Sequence, residues 1–494
     1  MKHLLLFIIT FCSLSTNIMG QNSNDSLTQL PKLTLLNHKK VMTQLLGKPN
    51  VEIKTIGILV YDGFDAMETI APMVVLSELM NVKIEYIGIN RKGLIKGNLM
   101  EIEVKKTILD IKKLDFLIIP GAEGTVMQNV INDKKLLEWI KNIDRNTKIT
   151  TASGYGVLLL AKIGALNGKK AATVNFKGKE NLELFGVQYD SSRYIKNGKY
   201  YTSEKSTACI DLMLFLIHEI YGDNYTQAAM LDLEYNPDTS TFNKLKNKIK
   251  YENQQTILTG EGLLLLKSES NSNPINTVGI LVYDGAFTLD FLGPLCVLSN
   301  VEEMHVELIG YKKGLVKSGR TLFNVQKSIE DIEKLDILII PGGSIGTLNM
   351  SQDTILRKWI LKIDNNSKYT TSVCTGAWIL GEAGLINNRN ATSHWYMKKE
   401  VLSHYQANPV DKRFVKDGKY WTSAGVSAGI DFCFALLNEL YGAKTTNNAF
   451  HQLAYFPEPI IKGGIPENTN PLVVDMMNQM YNYMMLKRLR ENGI

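Results

Sequence analysis

Cysteine is scarce in this chain, five in 494 residues, with no CxxC pair and no cysteine–histidine grouping at zinc-ligand spacing. That excludes a disulfide framework and a zinc module. A single disulfide among Cys209, Cys296, Cys374 and Cys433 stays open, because pairing depends on distances that spacing does not supply. Basic runs are missing too. The formal charge is +6, and no stretch of lysine and arginine is long enough to line a nucleic-acid groove, so nucleic acid is not an expected partner. Long apolar runs are absent beyond the first residues, so no membrane span is expected in the mature chain.

The beginning of the chain is the exception. Lys2 and His3 precede the apolar run Leu4–Phe11, and a polar stretch then ends in Ile18-Met19-Gly20. This reads as a signal peptide over 1–20, cleaved near Gly20–Gln21, and predicts export to the periplasm or the exterior. Lys2 is the sole charged residue it would remove, taking +6 to +5. Lipidation at Cys12 is disfavoured, because the bulky Phe11 stands where a lipobox needs a small residue. An oxidising compartment would permit one disulfide and would also threaten a reactive thiol.

The chain is written twice, at a spacing of about 220 residues, far longer than a solenoid period. Ile56-Gly-Ile-Leu-Val-Tyr-Asp-Gly63 recurs as Val278-Gly-Ile-Leu-Val-Tyr-Asp-Gly285, and Leu114-Asp-Phe-Leu-Ile-Ile-Pro-Gly121 as Leu335-Asp-Ile-Leu-Ile-Ile-Pro-Gly342. Gly198-Lys-Tyr-Tyr-Thr-Ser203 is answered by Gly418-Lys-Tyr-Trp-Thr-Ser423. Short apolar β-branched runs (56–60, 83–88, 116–119, 147–151) alternate with helical stretches such as Lys134–Ile143 and Ile210–Ile220. That pattern predicts a parallel sheet covered on both faces. The fold class is therefore α/β, two tandem doubly wound (flavodoxin-like) parallel-sheet domains. The divisions are a leader at 21–52, a first domain at 53–237, a linker at 238–275, a second domain at 276–442 and an extension at 443–494. In the extension, Val473, Met476, Met477, Met480 and Met484 share a helical face that reads as a docked core helix rather than a partner-binding one.

Loops at the carboxyl ends of such strands carry the chemistry, and three candidates lie there in the second copy. Cys374, in Thr370-Thr-Ser-Val-Cys-Thr-Gly-Ala377, sits between a strand over 368–373 and a helix over 376–383. The turn projects its side chain at a helix start, where free N–H groups favour a thiolate. The backbone N–H groups of Thr375 and Gly343 are placed to serve as oxyanion donors. A buried structural cysteine is the equally ordinary alternative. Asp290, among apolar neighbours at a helix start, is either an N-cap or a carboxyl with a raised pKa facing the thiol. His394, beside Trp395, is more often a packing group than a catalytic one.

The second copy resembles the ThiJ/PfpI superfamily, within the class I glutamine amidotransferase-like fold, and most closely its isonitrile hydratase-like branch. The residues that carry this are Leu289-Asp-Phe-Leu-Gly-Pro294, Ile339-Ile-Pro-Gly-Gly343, Ser372-Val-Cys-Thr-Gly-Ala377, Gly381-Glu-Ala-Gly-Leu385, Ala391-Thr-Ser-His-Trp395 and Thr422-Ser-Ala-Gly-Val-Ser-Ala-Gly-Ile-Asp431. The match spans 276–442, and Gln452-Leu-Ala-Tyr-Phe-Pro-Glu-Pro459 is similar to the family's closing segment. The resemblance implies Cys374 as nucleophile, Asp290 as the acid that moves a proton and Thr375 as a positioning group. The reaction implied is hydration of an isonitrile to an N-substituted formamide, a small-molecule activity without a cofactor. A glyoxalase- or deglycase-like enzyme using Asp290, Cys374 and His394 is the alternative. A non-catalytic ligand-binding or redox-sensing protein is the alternative of another class.

In the first copy Gly154 stands in place of Cys374, Tyr155 of Thr375, Glu68 of Asp290, Ala122 of Gly343 and Asn175 of His394. Ser153 is displaced by one residue and is not expected to act as a nucleophile. One active site per chain follows. The paired copies are expected to form an intramolecular pseudo-dimer, with a homodimer also open.

Overall fold

The computed structural model describes residues 29–34, 36–174, 178–237 and 275–494. The expected signal peptide at 1–20, Asn175 and the polar Lys267–Pro274 segment lie outside the described residues.

In the first domain the apolar runs become four parallel strands: β1 (Thr55–Val60), β2 (Lys83–Gly88), β3 (Phe116–Ile119) and β4 (Ile149–Ser153). Every residue of β3 and β4 is buried, as expected where helices cover both faces. The strands of 194–197 and 200–203 close one edge as an antiparallel hairpin, and 106–107 closes the other. The second domain repeats this with β5 (Thr277–Val282), β6 (His305–Gly310), β7 (Ile337–Ile340), β8 (Tyr369–Val373) and β9 (Tyr420–Ser423). Its seven-stranded order mirrors the first. The predicted helices appear as Lys134–Asp144 and Ala208–Tyr221, within one or two residues of the sequence expectation at each end.

Two features join the domains. Strands Gly93–Lys96 and Glu101–Val104 of the first pair with Gly314–Ser318 and Thr321–Val325 of the second in one four-stranded antiparallel sheet. At its centre Ile102 stands opposite Phe323 and Glu101 opposite Asn324. Helix α1 (Ala66–Leu76) also packs against its counterpart α2 (Thr288–Leu298).

An ion pair anchors each crossing segment, fully buried at Arg193 and half-buried at Arg413. Arg193 Nε binds Asp211 Oδ2, and Arg193 Nη1 donates across the domain boundary to the carbonyl of Ala454. Its counterpart Arg413 binds Asp431 Oδ2 at 2.7 Å and donates to the carbonyl of Asn236 in the first domain. Tyr235 and Tyr455 each complete the local aspartate with a 2.7 Å hydrogen bond. The two halves therefore exchange equivalent loops, around 234–236 and 454–456.

The extension docks. Helix α3 (Pro471–Tyr481) buries Val473, Met476 and Met477, with Met480 and Met484 half-buried on the same body. A helix of the leader (His38–Leu46) buries Val41, Met42, Leu45 and Leu46, and Leu33 N–H donates to Gln479 at 2.7 Å. No helix among the described residues is long and apolar enough to cross a membrane.

Arg193 and Asp211 are both essentially inaccessible, so Asp211→Ala strands a charge in the interior at a cost of about 3–5 kcal/mol. The urea midpoint should fall clearly. Glu219→Ala, which removes the exposed partner of Lys196, should cost about 0–1 kcal/mol.

Candidate active site

Strand β8 lies between β7 and β9, which aims its last residue at the carboxyl edge of the sheet. There the chain turns sharply. Cys374 takes a left-handed backbone conformation, φ +58°, which costs a residue with a Cβ about 1–2 kcal/mol. Helix α4 (Gly376–Glu382) follows, and a side chain at Gly376 would strike the carbonyls of Ile340 and Pro341. The turn is held by Cys374 N–H donating to Ser423 O at 3.0 Å and Ala424 O at 2.5 Å. Ser393 Oγ donates to the Cys374 carbonyl at 3.0 Å. The thiol is therefore on a strained elbow, half-buried, as the sequence led one to expect.

Asp290 comes to the same point. It is fully buried in the first turn of α2 and is not the N-cap, a position occupied by Phe287. Its Oδ2 accepts from Gly342 N–H at 3.1 Å. The Cys374 thiol is the side chain that faces this carboxyl, and Oδ1 is buried without a hydrogen-bond partner. Burial pushes the Asp290 carboxyl up to about 8, with the Gly342 hydrogen bond opposing.

The thiol itself is not disposed to ionise. Burial raises it well above its ordinary value, and the nearby carboxyls of Asp290 and Glu234 raise it further. Only the Thr375 N–H, donating toward sulfur, works the other way. The sequence argument for a thiolate at a helix start is corrected here. One short helix offers less than burial and two carboxyls remove.

The expected oxyanion donors are likewise committed. Gly343 N–H donates to Thr375 Oγ1 at 3.1 Å, and Thr375 N–H is directed at the sulfur. The reason is the buried Thr375 hydroxyl, which reaches back into the Pro341-Gly342-Gly343 turn and also bonds Thr347 Oγ1 at 2.8 Å. Thr347 in turn bonds Tyr283 OH at 3.1 Å, and that phenol donates to Pro341 O at 2.7 Å. Thr375 therefore acts as a tie that fixes the elbow to the preceding loop.

His394 is buried, its Nδ1 accepts from Tyr396 N–H at 3.3 Å, and its ring lies against Trp395 and Tyr481. Burial first and Lys398 second push its pKa down to about 3. It is a neutral packing and acceptor group, the ordinary alternative at this position.

Several residues here were not found from sequence. Tyr481, at the end of α3, packs edge-on against His394 and Trp395 and tilted against Tyr396 and donates to Asp232 at 2.5 Å. Glu234 arrives from the first domain. Its signal was the repeat itself: Glu234-Tyr-Asn-Pro237 aligns with Ala454-Tyr-Phe-Pro457, a difference that stands out once the copies are compared to their ends.

The first domain's elbow survives without its thiol. Gly154 keeps φ +54°, and the space where a side chain would sit is filled by Glu68, whose Oε1 lies 2.5 Å from a Cβ built there. The Glu68 carboxyl accepts from Gly121 N–H at 2.6 Å and Ser206 N–H at 2.8 Å. One extra methylene relative to aspartate carries it into the space a side chain at Gly154 would take. Ser153 is buried and accepts from Ser203 Oγ at 2.9 Å.

All four described cysteines, Cys209, Cys296, Cys374 and Cys433, are free. No group of histidine, cysteine and acid among the described residues is arranged to hold a metal.

A thiol on a strand-to-helix elbow, faced by a buried carboxyl above a doubly wound parallel sheet, defines a class of cysteine-bearing flavodoxin-like domains. The chain belongs to the DJ-1/PfpI family, whose model matches residues 54–219 and 276–439. It is 35% identical over 200 residues to the isonitrile hydratase of Pseudomonas putida, covering 40% of this chain and 86% of that protein. It is 31% identical over 133 residues to a deglycase of Pyrococcus abyssi, covering 25% of this chain and 76% of the relative. A crystal structure of a ThiJ/PfpI family protein from Pseudomonas syringae matches with a TM-score of 0.42 at 28% identity, covering 44% of this chain and 89% of that one.

Gly154→Cys alone should overpack the plugged elbow and cost about 1–3 kcal/mol. Adding Glu68→Asp, which shortens the plug to the length found beside Cys374, should recover much of that loss. Thermal unfolding of the single and double variants checks both.

Proposed function

We propose that this protein is a thiol-dependent hydratase of small isonitriles, with one active site per chain, in the second domain. The observation that carries the reading is the buried Asp290 carboxyl paired with the Cys374 thiol on its elbow. A neutral thiol suits an isonitrile, whose terminal carbon takes up both a proton and a nucleophile. As sulfur bonds to that carbon, the S–H bond breaks and the proton reaches the same carbon, through Asp290 acting as acid and base. The product is a thioimidate, R–N=CH–S–Cys374. Water then adds to the thioimidate carbon, the C–S bond breaks and the proton returns to sulfur, releasing R–NH–CHO. The first step develops no oxyanion, which agrees with the prior commitment of the Gly343 and Thr375 N–H groups. The similarity to an isonitrile hydratase over most of that protein's length supports the same choice.

A redox-sensing role fits less well, because peroxide attacks the thiolate and this thiol is held protonated. The same property suits the exported location we propose from the signal-like residues 1–20. A deglycase-like role has the weaker support, since His394 is buried, neutral and already bonded.

Formamide release from an alkyl isonitrile, followed by chromatography, tests the reading, with an α-oxoaldehyde as the competing substrate. Cys374→Ala should fall to background, Asp290→Asn should lose about 10²–10⁴-fold, and Gly154→Ala should retain activity. Equal turnover by wild type and Cys374→Ala would overturn the reading.

The pH dependence has a definite sign. Asp290 is needed as an acid and loses its proton through about 8, so the rate should fall as pH rises through that value. Asp290→Asn should abolish that limb.

A further inference from the structure

The first domain lost its own nucleophile, yet it sends a side chain into the second domain's site. Glu234 is 4% exposed and sits in the left-handed region, φ +44°, where a long acidic residue is held only if its surroundings determine it. Those surroundings belong to the second domain. Val426 N–H donates to Leu233 O at 3.2 Å, and Ser427 Oγ donates to Glu234 O at 2.8 Å. Trp395 Nε1 donates to Leu231 O at 3.1 Å.

The carboxyl lies over Gly425, with Oε2 only 2.6 Å from where a Cβ at that residue would stand. Gly425 directly follows Ala424, whose carbonyl receives the Cys374 N–H. Trp395 N–H donates to this carboxyl, and Oε2 has no partner. A buried carboxylate oxygen without a donor is costly unless it serves a bound group or carries a proton. Glu234 is close enough to Cys374 and Asp290 for their charges to be felt.

The reciprocal site shows what the arrangement is not. The equivalent residue crossing from the second domain to the disarmed elbow is Ala454, also left-handed at φ +45°, and Lys205 stands there in place of Gly425. The fold thus tolerates alanine at this position. An acid is present on the side that retains the thiol, together with the glycine that admits it.

We propose that the first domain completes the second domain's active site with the Glu234 carboxyl, which faces Cys374 as a second acid beside Asp290 and sets the reactivity of the thiol toward uncharged rather than anionic electrophiles. The inference rests on the reading of Cys374 as the reacting group. Other ionisable groups facing the thiol are Tyr283 and Tyr481, while Asp232 acts through Asp290 and Tyr481, and Lys398 and Arg413 face Glu234. Burial, first, pushes Glu234 up to about 8.

The test is alkylation of Cys374 in the full chain by neutral iodoacetamide and anionic iodoacetate from pH 6 to 10, followed by mass spectrometry of the Cys374 peptide. It requires no turnover, so it is independent of whether isonitriles are the substrates. Wild type should favour iodoacetamide, increasingly above pH 8 as Glu234 ionises. Glu234→Gln, which keeps an acceptor for Trp395 N–H, should reduce that preference at least threefold and move the alkylation midpoint to lower pH. Glu234→Ala, the residue found at the reciprocal position, should do the same. In a variant that unfolds like wild type, an unchanged ratio and an unchanged midpoint would overturn the proposal.

Discussion

The exchange of equivalent loops between the two halves is the constraint on which the rest depends. Each crossing segment is fastened by an arginine that satisfies an aspartate on its own domain and a main-chain carbonyl of the other. A guanidinium is suited to this because its fixed fork of donors serves two acceptors at once. Removing either half would leave one arm of that fork without its carbonyl acceptor. The duplication is therefore a single body, and the absence of a thiol at Gly154 does not release the first domain from its structural duty.

Within that body the two elbows illustrate how little separates a turn that carries a thiol from a plugged one. Both retain the left-handed backbone and both keep an acid opposite the elbow. In one, a glutamate spends both carboxyl oxygens on backbone N–H groups and occupies the void. In the other, the shorter aspartate leaves room for sulfur, spends one oxygen on the Gly342 N–H and keeps the other unpartnered. The tie formed by Thr375, Thr347 and Tyr283 belongs to the side that carries the thiol.

Much of this was legible beforehand. Apolar runs with β-branched residues specify strands buried on both faces, and the recurrence of Tyr-Asp-Gly and Ile-Ile-Pro-Gly marks equivalent loops. The convergence of Asp290, Cys374 and Thr375 followed from their positions after strands. The misreadings share a physical origin. The thiolate and the free oxyanion donors were inferred from local geometry, whereas protonation and donor occupancy depend on what lies across the pocket. His394 was ambiguous for the same reason, and its tie to the Tyr396 N–H settled it as a neutral acceptor.

What the sequence determined by itself is the duplicated α/β architecture, the elbow that carries Cys374 and the absence of its counterpart at Gly154. These follow from periodicity, turn chemistry and residue identity, all of which act over a few residues. What only the tertiary structure decided is the environment of the thiol. Glu234 lies 140 residues before Cys374, and Tyr481 more than 100 after it. Burial and through-space charge act over ångströms irrespective of chain separation, so the state of that sulfur was set only when both halves and the tail closed around it.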